Sequence, residues 1–551
     1  GAWDVLHFTN AFAAPFTVTL TRDAAAEMLR FERGDADIQL DLAGRSLLLT
    51  HSATGLLHQA HAGKTLSLTV NSSEPGGRME FSALRATPLT SGTNILTFSG
   101  AHLQVTSSGG TNVANRWFDS GEGDIRFREG VTADVSNSIE FGNGSMTVNP
   151  AARWIVADSG TLFTHSGPSL WLGKRSDRNP ILIVTNGGSF VGSAANHHIN
   201  VVEGGGTVNQ VNPNANGHLI VTGSGSYLET HRLTLGTLAG NLSGTGGGTA
   251  LVEAGGHMKI RNVLQMGIGR TVAGTNALAY GSLTVRGSGS FAQIGARLTA
   301  GLAGNARVSV ENGGVLQMGP WQDIVLGEGY ASGYTNDQAR GELEVTGAGS
   351  RVETRRMNAG IVGWGEVKVS DGAELKALGD STAQVTLAPR SRLIVENAWV
   401  QSLALNATNA SMDFALGTHA GSVPMVNLGT GSLVLSGQVE LTLSVLPSAS
   451  LSAGQTVQII SYGTRSGTFA GLADGARIAA NGYEFTIHYG SGSVYLTVVP
   501  PQITAQPQIN GPVEVGANVA LSVTASGQGL NYQWYRKQGD AIVAIGGATH
   551  T

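Results

Sequence analysis

A seven-residue phrase recurs between residues 151 and 378 and constrains the fold more than any other feature. It consists of Val, three residues, Gly, one residue and an apolar residue, and a further apolar residue usually lies two positions before the Val, as Leu283 does before Val285. Apolar alternation of this kind predicts a strand with one buried face. The Gly marks a tight turn into a second strand. Copies begin at Val156, Val184, Val202, Val221, Val252, Val285 and Val310, with two degenerate copies at Val345 and Val369.

The interval between copies predicts a solenoid. The copies return every roughly 18 to 35 residues with no helical pattern between them. A unit of strand, turn and strand can bury its apolar face only by stacking on its neighbours. The variable interval indicates that one corner of each coil is constant and that the other loops differ in length.

The composition fits an extended β-protein and excludes several classes of function. Gly accounts for 79 of 551 residues, charged residues for only 13%, and the formal net charge is −5. A nucleic-acid-binding chain would need a basic excess, and no apolar run reaches the ~20 residues of a membrane span. The chain has no Cys, so disulfides, zinc–thiolate sites and Cys nucleophiles are excluded.

Four regions follow from the strand pattern. Residues 1–95 are predicted to form a β-rich N-terminal region with the first coils, 96–440 the parallel β-helix, and 441–499 a β cap, because a solenoid end needs an atypical unit. Residues 24–30 have helix propensity, but the alternation on both sides favours a strand at Met28–Phe31.

The last region, residues 500–551, is predicted to be the first half of an immunoglobulin-like sandwich. Two alternating runs, Val519–Ala525 and Leu530–Tyr535, place Trp534 eleven residues after Val523, as in strands B and C of such a domain. Half a sandwich has unpaired edges, so we expect either that the polypeptide continues beyond Thr551 or that something else completes the domain.

Four stretches resemble known bacterial surface-protein families. Gly281–Phe291 resembles the passenger repeats of autotransporter-like bacterial surface proteins, and Ile459–Tyr462, Gly467–Leu472 and Gly482–Ile487 resemble the end of autotransporter-associated β-strand repeat proteins. The resemblance implies an all-β chain, with a right-handed parallel β-helix of about 15 coils and a length of roughly 70 Å, followed by the partial sandwich. It also implies export and display at the cell surface.

Candidate interaction residues come from three places. The stretch Trp321–Arg340 combines Trp321, Tyr330 and Tyr334 with three acidic residues, as a sugar-binding loop would, or as a solvated loop would. A local basic patch and two aromatic residues of the predicted sandwich complete the set: Arg351, Arg355, Arg356, Trp534 and Tyr535.

Other motifs are predicted to be structural. The pair His197-His198 has no acidic or His partner at a metal-ligand interval, and Gly121–Asp124 resembles a calcium-binding repeat only once. Gly244–Gly248 lacks the Lys-Ser/Thr of a phosphate loop. The sequence therefore predicts no catalytic residue, cofactor or metal.

We accordingly expect a secreted, extracellular or cell-surface structural protein: a subunit of a fibre or layer, or an adhesive stalk. Its expected partners are copies of itself or cell-surface glycans, with no nucleic acid and no membrane span. The alternatives are a polysaccharide lyase or hydrolase, which would show converging carboxylates or an acid–Arg–Lys cluster in a groove, and a glycan-binding module, which would show aligned exposed aromatic side chains.

Overall fold

The chain forms an all-β structure. The computed structural model describes residues 5–8, 15–32, 35–50, 55–60, 63–81, 84–86, 93–107, 124–141, 152–173, 179–204, 216–238, 247–269, 279–331, 334–418, 421, 423–509, 511–526, 530 and 532–547. These residues contain 57 strands and no helix. Among them, therefore, no helix is long and apolar enough to cross a membrane.

Most strands belong to three parallel ladders, which the chain visits in turn. The first sheet consists of Phe16–Thr19, Ala36–Asp41, Thr65–Asn71, Thr93–Ser99, Asp124–Arg128, Arg153–Ala157, Ile181–Thr185, Asn216–Thr222, Gly247–Glu253, Tyr280–Arg286, Asn305–Glu311, Arg340–Thr346, Trp364–Ser370, Ser391–Glu396, Ser411–Leu416 and Glu440–Val445. The second sheet begins with Ala24–Ala26, Ser46–Leu49, Gly77–Phe81, Leu103–Ser107, Thr132–Val135, Leu162–His165, Ser189–Gly192 and Tyr227–Thr230. It continues with His257–Ile260, Phe291–Ile294, Val315–Met318, Arg351–Thr354, Glu374–Ala377, Trp399–Ser402, Val426–Asn427 and Thr456–Ser461.

The strands of the third sheet form two separate ladders within the described residues. The first comprises Val5–Phe8, Met28–Glu32, Leu56–Gln59 and Leu84–Ala86. The second comprises Ile139–Phe141, Ser169–Leu172, His198–Gly204, Arg232–Leu238, Leu264–Gly269, Leu298–Ala300, Asp323–Leu326, Arg356–Ala359, Gln384–Leu387, Ala404–Thr408, Ser432–Ser436 and Thr464–Ser466. The strand Met28–Glu32 confirms the strand interpretation of this segment over the helical one.

Each strand pairs in parallel with the strand one coil later, which confirms a parallel β-helix. In a representative coil, Val285 lies opposite Val310, 25 residues along the chain. Sixteen strands in the first sheet, stacked at about 4.8 Å, give a rod roughly 70 Å long.

The recurring Val occupies one position of the first sheet. All copies except one lie in register: Val156, Val184, Val221, Val252, Val285, Val310, Val345 and Val369. The exception, Val202, lies in the third sheet with φ 61°. Its match to the phrase does not mark a corner.

The corner from the first to the second sheet alternates between two lengths. The inward-facing Leu228 lies seven positions after Val221 in the chain. Its partner in the next coil, Met258, lies six positions after Val252. The alternation of seven and six holds for ten successive coils, counted from Phe98, Phe127, Val156, Val184, Val221, Val252, Val285, Val310, Val345 and Val369. The copy at Val345, which appeared degenerate, is a regular seven-residue corner.

The two corners differ in backbone conformation. In the six-residue corner two successive residues have positive φ, as in Asn186 (51°) and Gly187 (83°), and the N–H of Gly188 donates to the carbonyl of Thr185 at 2.9 Å. Two successive residues with positive φ are typical of a type I′ turn, for which Asn-Gly is favoured. In the seven-residue corner the two residues with positive φ, Gly223 (91°) and Gly225 (79°), have one residue between them.

Buried Ser hydroxyls join three of the six-residue corners to the seven-residue corner of the next coil. Ser226, Ser290 and Ser350 are each 1% exposed, and each lies directly after the second Gly of a seven-residue corner. Their Oγ atoms accept hydrogen bonds from the N–H groups of Gly187, Gly255 and Gly313 at 3.0, 3.1 and 2.9 Å. Because these N–H groups turn inward, each depends on the hydroxyl for a partner.

The interior is a column of apolar side chains. In the N-terminal half it is aromatic: ring centroids of Phe98 and Phe127 lie 4.9 Å apart, those of Phe127 and Phe163 4.9 Å, and those of Phe163 and Phe190 5.4 Å. Burial of one such ring contributes about 1.5–3 kcal/mol.

The C-terminal part of the chain changes its pairing. The second sheet continues into three antiparallel strands, Ser493–Val498, Tyr483–Tyr489 and Arg477–Ala480. Beyond them, two antiparallel pairs are described: Gln502–Ala505 with Thr524–Ser526, and Tyr535–Gln538 with Ala541–Ala544. These strands are shorter than the two alternating runs predicted from the sequence.

The Ser290→Ala substitution tests the hydroxyl link between corners. It removes the acceptor of the part-buried N–H of Gly255, so we expect the free energy of unfolding to fall by about 1 kcal/mol. Chemical denaturation measures the change. Ser282→Ala, on the outward face of the first sheet, is the matched control and should change stability by less than about 0.5 kcal/mol. Equal effects of the two substitutions would contradict the role of the hydroxyl.

Candidate functional site: a lateral cleft at Trp321

Trp321 lies at the corner between the second and third sheets. The chain leaves the strand Val315–Met318, passes Gly319 and Pro320, and enters the third-sheet strand Asp323–Leu326 after Trp321 and Gln322. The structure therefore corrects the prediction of one long loop over Trp321–Arg340, because a regular strand lies inside it. The true insertion follows that strand and carries the short antiparallel pair Tyr330–Ala331 and Tyr334–Thr335.

A cleft of about 340 Å³ opens beside Trp321. Its walls come from three successive coils, and its lining comprises Gln317, Met318, Gly319, Pro320, Trp321, Glu353, Thr354, Arg355, Lys376, Leu378 and Gly379. The volume lies at the lower end of the range for small-molecule sites, and the lining mixes apolar, aromatic and polar groups.

Arg355 fixes the position of the corners that form the cleft. Its guanidinium Nη2 lies 2.8 Å from the Oδ1 of Asp323 in the coil before, and its Nη1 lies 4.0 Å from the Oδ2 of Asp380 in the coil after. Its backbone N–H donates to the carbonyl of Gln322 at 3.1 Å, and the hydroxyl of Thr354 donates to the same carbonyl at 3.1 Å. The backbone directly after Trp321 is thus tied to the next coil.

Asp380 is held in its charged form. Its carboxylate accepts hydrogen bonds from the hydroxyl and the N–H of Thr382, both at 2.7 Å. These bonds, the hydroxyl first, and the positive charges of Arg355 and Arg356 lower the pKa of Asp380 below its usual value. The ion pair with Arg355 therefore persists in mildly acidic solution.

Trp321 is both exposed and strained. Its side chain is 57% exposed, and its φ is 71°, in the left-handed region that a bulky side chain rarely adopts. A residue in this conformation costs on the order of 1–3 kcal/mol and persists only where its surroundings impose it. Gly319 contributes to that constraint, since a Cβ there would lie 2.5 Å from the carbonyl of Gly295 in the preceding coil. The indole is thus displayed at the cleft against the local preference of the chain.

The polar lining is charge-compensated. The amide Nε2 of Gln317 donates to Glu353 at 2.9 Å, the ammonium of Lys376 pairs with Glu374 at 2.8 Å, and Arg351 pairs with Glu353 at 2.8 Å. Among the described residues that line the cleft, Glu353 is the only carboxylate. The cleft offers hydrogen-bonding groups beside an aromatic surface but little net charge.

The three arginines predicted as one basic patch have separate roles. Arg351 lies on the second sheet with Glu353, Arg355 lies at the corner, and Arg356 begins a third-sheet strand, where its Nε donates to the carbonyl of Thr382 at 3.1 Å. Only Arg355 lines the cleft directly.

The aromatic pair near the C-terminus also separates. Trp534 is half-buried and lines a cavity of about 320 Å³ with Val523, Pro501 and Ile503 among others, whereas Tyr535 is exposed.

His197 belongs to a buried hydrogen-bond chain. Its Nε2 lies 2.7 Å from Nδ1 of His165, whose Nε2 lies 2.7 Å from the carbonyl of Asn137, and its Nδ1 lies 2.7 Å from the hydroxyl of Thr230. The carbonyl can only accept, so two neutral rings must each carry the proton on Nε2, and Thr230 donates to His197. His198 instead contacts the hydroxyl of Thr234 at 2.7 Å. The described residues contain no group of three or more His, Asp or Glu side chains arranged to hold a metal.

The outer face of the first sheet carries an acid–base ladder. Arg307 pairs with Glu344, Arg340 with Glu342, Lys368 with Glu396 at 2.9 Å, and Arg392 with Asp413. Opposite charges on adjacent strands attract each other, so these ion pairs stabilise the first sheet. The sequence prediction did not include this ladder, nor Gln317, Lys376 and Leu378 of the cleft, because coil register alone aligns residues so far apart in sequence.

Gly121–Asp124 and Gly244–Gly248 include positions outside the described residues.

Two substitutions at Trp321 separate strain from side-chain loss. Trp321→Gly and Trp321→Ala remove the same ring, but only Ala keeps a Cβ at positive φ. We therefore expect the Gly variant to be more stable than the Ala variant by about 1 kcal/mol. Thermal or chemical unfolding measures the difference, and an Ala variant as stable as the Gly variant would show that the backbone there is unstrained.

Stability should depend on pH through the buried histidines. Burial lowers the pKa of His165 from 6.5 to about 4, and burial, followed by repulsion from His165 and Arg261, lowers the pKa of His197 as well. The unfolded chain binds protons on these rings below about pH 6.5, whereas the folded chain does not. The free energy of unfolding should therefore fall as the pH drops from 6.5 towards 4, by about 1.4 kcal/mol per pH unit for each ring.

Denaturation at a series of pH values, with His165→Gln and His197→Gln combined, measures this slope. In the double variant, the slope of the unfolding free energy against pH should be smaller than in the wild type by about twice the contribution of one ring. The exposed control His257→Gln should keep the wild-type slope. A wild-type slope in the double variant would refute the neutral pair.

The sequence matches no protein-family model, and no curated protein is similar enough to be matched to it. The geometry of the cleft is therefore the basis for assigning a function.

Proposed function

We propose that this chain is the stalk of a secreted bacterial surface protein and that the Trp321 cleft binds a sugar of a neutral glycan. The observation that carries the proposal is the exposed Trp321, held in a strained conformation beside a charge-compensated polar lining. The family resemblance of the Gly-rich coils to autotransporter-associated β-strand repeat proteins supports display at the cell surface. The protein would thus be adhesive and structural rather than catalytic.

The chemistry of the lining favours a saccharide. A pyranose ring presents an apolar C–H face and a rim of hydroxyls, so it suits an aromatic surface flanked by hydrogen-bonding groups. Trp321 provides that surface, and Gln317, Glu353 and Lys376 provide donors and acceptors within the same cleft. Because Glu353 and the nearby cations are already paired, a neutral ligand needs no uncompensated charge to be buried.

The lining does not favour a glycosidase. Hydrolysis of a glycoside by the common mechanism needs two carboxyl groups, one on each side of the scissile bond. Glu353 is the only carboxylate among the described lining residues. Glu353, Arg355 and Lys376 form the acid–Arg–Lys combination expected of a lyase, but each is already paired, with Arg351, Asp323 and Glu374 respectively. The carboxylates of the first-sheet ladder have cationic partners on the same face and lie on another sheet.

The described C-terminal end supports a stalk over an end-to-end polymer. Parallel strands stacked in a rod leave ladder edges that invite association. The antiparallel strands from Arg477 to Val498 follow the last parallel strand of the second sheet and occupy its edge. Fibre growth by strand stacking would have to displace them.

Binding of four hexasaccharides tests the proposal: cellohexaose, xylohexaose, mannohexaose and chitohexaose. We expect at least one to bind in isothermal titration calorimetry, and Trp321→Ala to weaken that binding at least tenfold, since a buried aromatic anchor contributes about 2 kcal/mol or more. Trp364→Ala, an exposed Trp on the first sheet, is the matched control and should bind as the wild type does. Failure of all four to bind, or shortening of the sugar during the titration, would overturn the proposal.

A further inference from the structure

We infer that the glycan lies along the rod axis, over the outer face of the second sheet, so that successive sugars contact successive coils. This inference rests on the proposed function and identifies the ligand as an extended, unbranched and neutral sugar polymer. The Trp321 cleft would be one subsite of a longer surface that begins several coils earlier.

The second sheet presents two straight rows of outward side chains. Since the strands pair in parallel and in register, the same position of each coil falls into one row. One row, here called the aromatic row, contains Tyr227, His257 and Phe291 on three adjacent strands. The row beside it, here called the polar row, contains Glu229, Lys259, Gln293, Gln317, Glu353 and Lys376.

The two rows lead into the cleft. Gln317, Glu353 and Lys376 belong to the polar row and also line the cleft beside Trp321. Phe291 lies opposite Val315, the first residue of the strand that leads to Trp321. From Tyr227 to the coil of Lys376 the surface crosses six strands, roughly 24 Å, which is longer than one sugar.

The aromatic row has an apolar surface open to a ligand. The rings of His257 and Phe291 lie 5.8 Å apart, centroid to centroid, and are inclined at 63°. The ring of His257 is exposed, and Tyr227 and Phe291 are half-buried. The hydroxyl of Tyr227 donates to Glu229, which orients the ring beside the polar row.

The polar row is charge-compensated along its length, as the cleft is. Lys259 lies 3.6 Å from Glu229, and Arg261 lies 3.4 Å from the same carboxylate. Further along, Glu353 and Lys376 have the partners already described in the cleft. A neutral polymer that offers a hydroxyl rim at regular intervals matches both rows, whereas a charged polymer would meet alternating signs.

Chain length tests the inference. The titration uses whichever of the four hexasaccharides binds, together with its disaccharide. We expect the hexasaccharide to bind at least tenfold more tightly than the disaccharide. The combined Phe291→Ala and Tyr227→Ala substitutions should reduce hexasaccharide affinity to that of the disaccharide and leave disaccharide affinity unchanged.

Two controls keep the test decisive. Tyr280→Ala removes an exposed ring on the first sheet and should leave both affinities unchanged. Phe291→Gln keeps a side chain of intermediate size, so it reports on binding even if the double variant folds poorly.

The outcomes separate the two proposals. Equal affinity for dimer and hexamer, both lost in Trp321→Ala, would overturn the extended surface and leave the cleft as a site for a single sugar. A hexamer that binds tightly but is unaffected by the Phe291 and Tyr227 substitutions would overturn it as well. Failure of every hexamer to bind would overturn both.

Discussion

In-register parallel pairing of the backbone is the constraint on which the rest of this structure depends. Each strand satisfies its N–H and C=O groups on the coil before and the coil after, so a residue at a given position of one coil lies about 4.8 Å from its counterpart in the next. Side chains therefore stack in columns. The interior column is apolar and partly aromatic, and the exterior columns become rows of aromatic, polar or charged groups.

The corners maintain that register. Two backbone solutions alternate from coil to coil, and a buried Ser hydroxyl on one satisfies an inward N–H of the other. The structural repeat of this rod is thus two coils rather than one. A corner whose length did not match its backbone conformation would shift every side chain of the following strand to the opposite face. The corner residues must therefore adopt positive φ, as Gly187, Gly223 and Gly225 do.

The contacts between coils also stabilise the conformation of Trp321. Arg355 ties together the corners of three coils through Asp323 and Asp380, and Gly319 permits close approach to the coil before. The corner can hold a Trp at positive φ because its neighbours fix the path of the backbone. The strain at Trp321 is therefore imposed by contacts with the neighbouring coils and not by the residues beside it in sequence.

Much of the fold could be predicted from the sequence, but much less of the site. The Val–Gly phrase identified the first-to-second corner in the eight coils from Val156 to Val369, because period-two alternation and Gly report local geometry directly. Val202 satisfied the phrase by chance, and Val345 was undervalued because the alternation of two corner lengths is invisible without the register. Trp321 and Arg355 were singled out for their chemistry. Gln317, Lys376 and Leu378 could not be placed beside them, since variable loop lengths decide which distant residues share a row.

A structure of the protein with the hexasaccharide that binds most tightly tests the account most directly. The account predicts an intact sugar stacked on the indole of Trp321, with the chain running parallel to the rod axis past Phe291 towards Tyr227. A sugar bound on the first-sheet ladder, a chain that crosses the rod, or a cleaved product would contradict it.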